Sequence, residues 1–575
     1  MKLTRIEVSN YRNISGLVVD FHPMSNYIIG ENNLGKSNFL ALMDIVCNGR
    51  IFEESDFCST ENPIEIVLSL KLLPCEYGFF GDYFCPADAS VLKIRYSQGI
   101  SDTYPTIVCC DTGDSIPVRQ LRKIHFLKYD TNSIPGKVLR LDSKKGAGMI
   151  VNSMIERYIA STGGEQSFLN TSKVDGLTAF INEHLGKIRS FSDYSIKAAI
   201  SEEPAEMLSR LFYLSDGERK IDATGSGVQF MAMASIDILC QIMSIYNSKA
   251  VLFDEQLYVN ENGEKYLPVV LSIDEPEVHL HPFLQRSLIT YYKRILCNED
   301  AGFKELLQMC FGIDGLDGQL VIVTHSTDSL VDNYRNLIRF HKKDDTTRAI
   351  SGSTLNLTDA NEKHLLKHFP EIKEAFYSHC AILIEGDTEY GCMREFANKL
   401  GVSLDEHEIS VINANGEHSI KPLRKLLDAF GIPSVVIYDN DVKQGQTPGD
   451  CEFFTQELCF EIEVVKNLIR HGQTALVRRI VQELDSDGEG VILDLDFVKK
   501  SFKKMQIATT GYVPKKLSEV QEAATEEFCN MYSTWYMAKK GILLGRTIGE
   551  LLTSELIPAC YADAIWKARE VAINV

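Results

Sequence analysis

Gly30-Glu31-Asn32-Asn33-Leu34-Gly35-Lys36-Ser37 spells G-x-x-x-x-G-K-[ST]. At that spacing the glycines let backbone N–H groups wrap phosphates, Lys36 reaches the terminal phosphates as a point charge, and Ser37 offers an oxygen to Mg²⁺. Further along, Val269-Val270-Leu271-Ser272-Ile273 delivers Asp274 and Glu275 at its end. Asp274 is suited to hold Mg²⁺ through water and Glu275 to polarise an attacking water. His325 follows the apolar run Leu320–Val323 and is placed to sense a γ-phosphate. A second carboxylate set comes later: Glu385-Gly386-Asp387-Thr388-Glu389 behind Ile382-Leu383-Ile384, and Asp439-Asn440-Asp441 behind Val435-Val436-Ile437-Tyr438. Mg²⁺ or Mn²⁺ takes oxygen ligands, and two such ions can clamp an in-line displacement at phosphorus. The residues thus describe two chemistries, ATP binding with hydrolysis and metal-assisted phosphodiester chemistry.

These groups need strand ends and helix starts. Tyr27–Ile29 reads as a strand entering the phosphate loop, and Phe39, Leu40 and Met43 mark the helix that leaves it. Leu3–Val8 is strand-like, and Ile64, Ile66, Leu68, Leu70 and Leu72 share one face at period two, the mark of an antiparallel piece. Residues 146–209 turn helical, with Val151, Met154, Ile155, Tyr158 and Ile159, then Leu177, Phe180, Ile181 and Leu185, at helical spacings, two apolar stripes that a small excursion cannot bury alone, so the insertion is expected to contribute dimer contacts. Strands return at Leu267–Ile273 and Leu320–Val323, apolar throughout as in buried parallel sheets. A polar stretch around His341–Arg348 reads as the start of a linker, and a second α/β pattern follows with strands at Ala381–Ile384 and Ser434–Ile437. The last part of the chain reads mainly as helix. The fold class is α/β, with boundaries at 1–145 plus 210–345, a helical insertion at 146–209, a linker at 346–374 and a second domain at 375–575.

At 575 residues two to four domains are expected. The net charge of −20, from 59 basic and 79 acidic residues, argues against a chain that coats nucleic acid over its whole surface, yet a local basic groove remains compatible with it. Fifteen cysteines without a C-x-x-C pair fit reduced thiols better than disulfides or zinc. No apolar run approaches the ~18 residues of a membrane span, and the start Met1-Lys2-Leu3-Thr4-Arg5 is too polar for a signal peptide, so a cytoplasmic protein without a membrane partner is expected.

The ATP motifs resemble the heads of ATP-binding-cassette and chromosome-maintenance ATPases. Ile6-x-Val8-x-Asn10-Tyr11-Arg12 looks like their first strand and its Arg, and Gly225-Ser226-Gly227-Val228-Gln229 like a variant signature loop. The resemblance implies that Arg12, Gly30, Asn32, Asn33, Gly35, Lys36, Ser37, Asn38, Asp274 and His325 meet ATP in one subunit. It also implies that Ser226, Gly227 and Gln229 close over the ATP of another, hence a homodimer or larger homo-oligomer. His279 and His281, at H-x-H spacing, fall in the loop after the catalytic Glu and are not read as metal ligands. The later acids, in that order on successive strands, resemble a Toprim domain, with Asn413-Ala414-Asn415-Gly416 at its Gly-bearing turn. An ATPase head followed by a Toprim domain resembles the overcoming-lysogenization-defect (OLD) family, which includes the Gabija nuclease and effectors encoded beside retrons. That implies an ATP-regulated, Mg²⁺- or Mn²⁺-dependent DNA endonuclease of anti-phage defence, with an accessory helicase or a retron reverse transcriptase and its nucleic acid as candidate partners. Metal would sit on Glu385, Glu389, Asp439, Asp441 and Glu463, with Glu461 beside the last, and Lys540 or Lys539 would steady the transition state. A single Gly416 stands where the family often has a glycine pair.

A non-catalytic DNA-repair or assembly ATPase, whose Toprim domain only binds DNA or protein, is the alternative function. Intact carboxylates at 385, 389, 439 and 441 favour catalysis. Lastly, Asp485–Asp496 carries oxygens at positions 1, 3, 5 and 12 of an EF-hand-like loop, with Gly490 at position 6. A solvated acidic turn is the plainer reading and a Ca²⁺ site the alternative, since position 12 is Asp and no second hand follows.

Overall fold

The computed structural model describes residues 1–129, 135–141, 145–161, 171–200, 212–217, 219–248, 252–356, 359–440 and 449–574. Contacts divide the chain into two compact units, Met1–Leu355 and Asn356–Val575.

In the first unit β1 (Lys2–Ser9), β2 (Val18–Asp20), β4 (Ile64–Lys71), β5 (Val91–Gln98) and β6 (Thr106–Cys109) form an antiparallel sheet in the order β2-β1-β4-β5-β6. Ile64, Ile66, Leu68, Leu70 and Leu72 are all buried, as their alternation requires. The larger sheet has the order β10-β11-β12-β3-β13-β14, with β7 (His125–Tyr129) also paired to β11. Its members are β3 (Ser25–Ile29), β10 (Tyr258–Val259), β11 (Lys265–Asp274), β12 (Gly315–Val323), β13 (Leu337–Lys343) and β14 (Thr346–Ser351). β7, β11, β12, β3 and β13 run parallel, so the ends of β3, β11 and β12 stand side by side. Asp274 pairs in register with Val323, which places the Asp274 carboxylate, His325 and the phosphate loop at one sheet edge.

One expectation about this unit is corrected. The polar stretch at 341–348 does not open a linker: Lys343 pairs with Thr346 across a two-residue hairpin in which Asp344 (φ 49°) and Asp345 (φ 57°) are both left-handed. β14 therefore extends the main sheet, and much of the remaining segment, Asp359–Ile372, is helix. The helices Ala147–Ser161 and Thr171–Leu185 do form, but Val151, Met154, Leu177, Ile181 and Leu185 are buried within the unit. The first of these helices packs on Ser226–Ser248, which covers part of its apolar stripe within the unit. β8 (Lys197–Ile200) pairs antiparallel with β9 (Phe212–Ser215) and packs on Thr171–Leu185. Ser226–Ser248 is long and apolar enough to cross a membrane, yet 67% of its most apolar window is buried inside this unit, as befits a core helix.

The second unit is built on the parallel sheet β16-β15-β17-β18, from β15 (Cys380–Ile384), β16 (Ile409–Asn413), β17 (Ser434–Tyr438) and β18 (Glu452–Phe454). Helices Asp387–Lys399, Glu417–Ala429 and Ala559–Ile573 pack on it. Phe460–Arg470, Thr474–Leu484, Leu495–Lys504 and Thr525–Ala538 share its core around the buried Trp535 and Tyr536. Glycines set one helix pair: a Cβ on Gly545 would lie 1.9 Å from the Thr388 carbonyl oxygen, and one on Gly391 would lie 2.4 Å from that of Ile542. Helices Asp387–Lys399 and Ile542–Leu551 thus approach backbone to backbone.

Candidate active sites

The phosphate loop is shaped by two glycines that no other residue could replace in place. Gly30 (φ 134°) has its Cα against β13, where a Cβ would come within 2.2 Å of the Phe340 carbonyl oxygen, and at Gly35 (φ 84°) a Cβ would meet Ile14 at 2.4 Å. Lys36 heads the helix Lys36–Cys47 and is buried, its Nζ donating to the carbonyls of Gly30 (2.7 Å) and Glu31. Burial pulls the Lys36 ammonium down to about 8, against the opposing fields of Glu275, Asp274 and Glu31. Ser37 Oγ lies 3.4 Å from Asp274 Oδ1, and burial raises the Asp274 carboxyl. The loop is braced from outside. Arg12 donates to Asn38 (2.7 Å) and Asp56 (2.9 Å), Asn38 to Asn13 (2.8 Å), and Asn13 to the Asn33 carbonyl (2.8 Å). Arg12 and Asn38 therefore support the loop, and Asn32 and Asn33 lie in it.

Glu275 is left-handed (φ 52°), with its N–H on the Val323 carbonyl at 2.8 Å. Glu277, which the motif reading passed over, accepts from the Thr324 hydroxyl (2.7 Å) and the His325 N–H (2.6 Å) and so fixes the turn that carries His325. Burial and the Lys36 charge hold the His325 imidazole low, so it is neutral at pH 7. His279 stacks on Phe230 at 4.9 Å and His281 on Phe283 at 5.8 Å, which gives the H-x-H pair a packing role. Ser226 opens the helix Ser226–Ser248, Gly227 sits against Leu284, and Gln229 donates to the carbonyls of Asp222 and Thr224. The Gln229 bonds thus close the segment 222–229 on itself.

In the second unit Glu385 follows β15 and Glu389 lies in the first turn of Asp387–Lys399. Glu389 is buried and accepts three bonds, from Tyr561 OH (2.6 Å), Glu385 N (3.0 Å) and Gly386 N (2.9 Å). Asp439 follows β17 and accepts from Phe460 N at 3.2 Å. Burial pushes Asp439 up to about 9, with the charges of Glu389, Glu385 and Glu461 adding to the rise and Lys504 opposing it. Burial likewise pushes Glu389 up to about 7. The fourth acid of this cluster is therefore Glu461, which accepts from Thr388 Oγ1 at 2.8 Å. Glu463, the expected ligand, instead accepts from the Glu457 N–H at 2.7 Å. Two residues apart on a helix, the two acids face in different directions, and only Glu461 faces Asp439. Asp441 lies outside the described residues. Among the described residues no three carboxylates converge as a metal cage, although the donor set is all oxygen, as Mg²⁺ or Mn²⁺ requires.

Against this geometry, comparisons with known proteins are specific. Residues 376–441 match the family described as "Overcoming lysogenization defect protein-like, TOPRIM domain", and residues 1–83 match an AAA ATPase domain. The chain carries an AAA ATPase domain and an OLD-like Toprim domain. Residues 265–332 further match an AAA domain described as "putative AbiEii toxin, Type IV TA system". The chain is 26% identical over 488 residues to the OLD nuclease of Thermus scotoductus, covering 76% of this chain and 82% of that one. It is 22% identical over 509 residues to the Old nuclease of Escherichia phage P2, covering 77% of each. To endonuclease GajA of Bacillus cereus it is 25% identical over 214 residues, 34% of this chain but only 29% of that protein's length.

Within the Toprim domain the turn at Asn413–Gly416 resolves its missing glycine: Asn415 (φ 52°) takes the first left-handed position and Gly416 (φ 120°) the second. The Asn413 amide then donates to Asp387 (2.7 Å) and Gly416 N to the Glu385 carbonyl (2.9 Å), which ties the turn to the first acidic loop. Lys540 is exposed, next to Gly541, whose N–H donates to Thr388 Oγ1 at 2.9 Å, whereas Lys539 pairs with Asp485 at 3.1 Å. Lys504, which the motif reading did not single out, is a lysine whose charge acts on Asp439. Three acids of the EF-hand-like segment are otherwise engaged. Asp485 binds Lys539, Glu489 binds Arg478 (3.1 Å) and Tyr532 (3.0 Å), and Asp494 caps the helix Leu495–Lys504. They do not share a centre, which favours the acidic turn over the Ca²⁺ loop.

Proposed function

We propose that this protein is an ATP-regulated, divalent-metal-dependent DNA endonuclease of the OLD type, acting in anti-phage defence as a homodimer or larger homo-oligomer. The observation that carries the reading is that Glu385 at the end of β15, Glu389 in the helix after it, Asp439 at the end of β17 and Glu461 at the start of Phe460–Arg470 lie near enough for their charges to act on one another, so that burial and that repulsion raise Asp439 and Glu389. Such a concentration of negative charge is destabilising unless protons or cations offset it, and a Toprim framework supports cations as the ligand. Glu385, Asp439 and Glu461, with Asp441, would hold the Mg²⁺ or Mn²⁺, which when bound would lower the pKa of water and neutralise charge growing on the scissile phosphate.

The remaining steps belong to the side chains. Tyr561 and two backbone N–H groups hold Glu389 in one orientation, and Thr388 does the same for Glu461. Lys504 and Lys540 supply positive charge for the phosphate. In the other unit Lys36 would bind the terminal phosphates of ATP, Ser37 and Asp274 would hold its Mg²⁺, Glu275 would polarise the water, and His325, steadied by Glu277, would read the γ-phosphate. The test is cleavage of supercoiled and linear DNA with Mg²⁺ or Mn²⁺, with and without ATP. Wild-type protein should cut and the Asp439→Ala protein should not, while both bind ATP alike. Full cutting by Asp439→Ala would overturn the nuclease assignment.

A further inference from the structure

The chain carries 20 more acidic than basic residues, yet Leu495–Lys516 reverses the balance, with Lys499, Lys500, Lys503, Lys504, Lys515 and Lys516 against the single acid Asp496. Four of these lysines lie on the helix Leu495–Lys504. Val498, Ser501 and Phe502 turn its inner face into the core, so Lys499, Lys500 and Lys503 fall on the opposite face, exposed. Lys515 is occupied by Glu527, but no described carboxylate pairs with Lys499, Lys500 or Lys503. The helix packs on Thr525–Ala538, which packs in turn on Phe460–Arg470, the helix that bears Glu461. Its C-terminal residue, Lys504, is the one whose charge reaches Asp439. The row of lysines therefore ends at the acids.

We propose that the exposed face of Leu495–Lys504 is the surface along which the DNA backbone is laid to reach the Toprim acids, with Lys499, Lys500 and Lys503 on successive phosphates and Lys504 at the mouth of the site. This inference rests on the nuclease reading and adds the path of the substrate to it. A helix of this length extends for about 15 Å, and B-form DNA offers a phosphate every ~3.4 Å along each strand, so the helix spans enough backbone for three contacts. Like-charged lysines so close together repel one another, the single Asp496 on their face offsets only part of this, and a polyanion removes the rest. An acidic molecule that repels DNA elsewhere would be steered to this face, which is how a locally basic strip confers orientation.

The experiment measures binding of a fluorescein-labelled 30-base-pair duplex to Asp439→Ala protein, which should hold DNA without cutting it. The comparison is the same protein with Lys499, Lys500 and Lys503 all changed to Gln. Each lost phosphate contact removes about 0.9 from the slope of log affinity against log salt, so the triple change should flatten the slope by about 2 to 3 and weaken binding about 100- to 1,000-fold near 0.1 M salt. Changing the same three residues to Arg should restore both. An unchanged slope in the Gln variant, beside normal Mn²⁺-dependent cutting by the wild type, would overturn this surface and leave the nuclease reading intact. Failure of the wild type to bind or cut any DNA would overturn both.

Discussion

Glu389 and Asp439 have both been pushed up, but they are held differently. Glu389 has three hydrogen-bond donors and Asp439 accepts from the Phe460 N–H. Raised carboxyls have a definite consequence for pH. The unfolded chain releases these protons near the ordinary carboxyl value of ~4, whereas the folded chain keeps them until about 7 for Glu389 and about 9 for Asp439. Between those limits the folded state binds more protons than the unfolded one, so stability falls as pH rises. Without divalent metal, the melting temperature of the Toprim unit should decline from pH 5 to pH 9, and Asp439→Asn should flatten the decline. Parallel profiles for the two proteins would show that the acids do not carry the effect. Mg²⁺ should recover the loss most at the alkaline end, where the protons it displaces are already leaving. Most of these residues were legible as motif because a strand end followed by a carboxylate is a local pattern. Glu461 was not separable from Glu463, since Glu-Ile-Glu shows two acids and only the helix rotation chooses between them. Lys504 was hidden for another reason: it reaches Asp439 from a helix 65 positions away in sequence, and a lysine-rich helix reads as a solvated face.

The elements that hold the site depend on close approach more than on side-chain bulk. Helix Ile542–Leu551 lies against Asp387–Lys399 through Gly545, Gly549 and Gly391, and a methyl group at Gly545 would overlap the Thr388 carbonyl oxygen. Thr388 is the residue that orients Glu461 and receives the Gly541 N–H. Gly545→Ala should therefore force the helices apart at a cost of about 1–3 kcal/mol, typical of overpacking. DNA cutting should drop more than this loss of stability alone explains, with ATP affinity unchanged. Retained cutting in a folded Gly545→Ala protein would show that the spacing does not position the acids. The sequence reading did not single out Gly545 or Gly549, because which helix they meet is a tertiary fact. The hairpin Lys343–Thr346 was misread for a local reason, since two adjacent aspartates in a polar run look like a linker until both are seen to adopt positive φ. The buried strands β11, β12, β15 and β17, by contrast, were legible from continuous apolar runs alone.

At the scale of the molecule the two chemistries sit in two separately packed units, so their variants should separate as well. Lys36→Ala removes a buried ammonium that would meet the ATP phosphates, and charge-assisted bonds are each worth about 1.5–3 kcal/mol, so nucleotide affinity should fall about 10- to 100-fold. Calorimetric titration checks this, and an unchanged affinity would refute the phosphate-loop assignment. Self-association is the property the single chain leaves to be completed. Much of the apolar stripes of Ala147–Ser161 and Thr171–Leu185 is covered within their own unit, with Ile155, Tyr158 and Phe180 left half-buried. What stays open is the start of Ser226–Ser248, where Ser226 is exposed, and Phe283, 72% exposed at the head of Pro282–Leu296. Gly227 lies against Leu284, so these two exposed residues belong to one neighbourhood. A helix start with free N–H groups attracts phosphate oxygens, and the γ-phosphate of a second subunit's ATP is suited to it. ATP should therefore drive dimerisation, and Glu275→Gln, which slows hydrolysis while sparing binding, should prolong the dimer. Light scattering at micromolar protein should show a larger mass with ATP than without, a further gain in Glu275→Gln, and loss of that gain when Phe283 is also changed to Ser. A monomer in the Glu275→Gln protein saturated with ATP would sink the composite site, since an interface built on bound ATP must be most populated when ATP cannot be consumed.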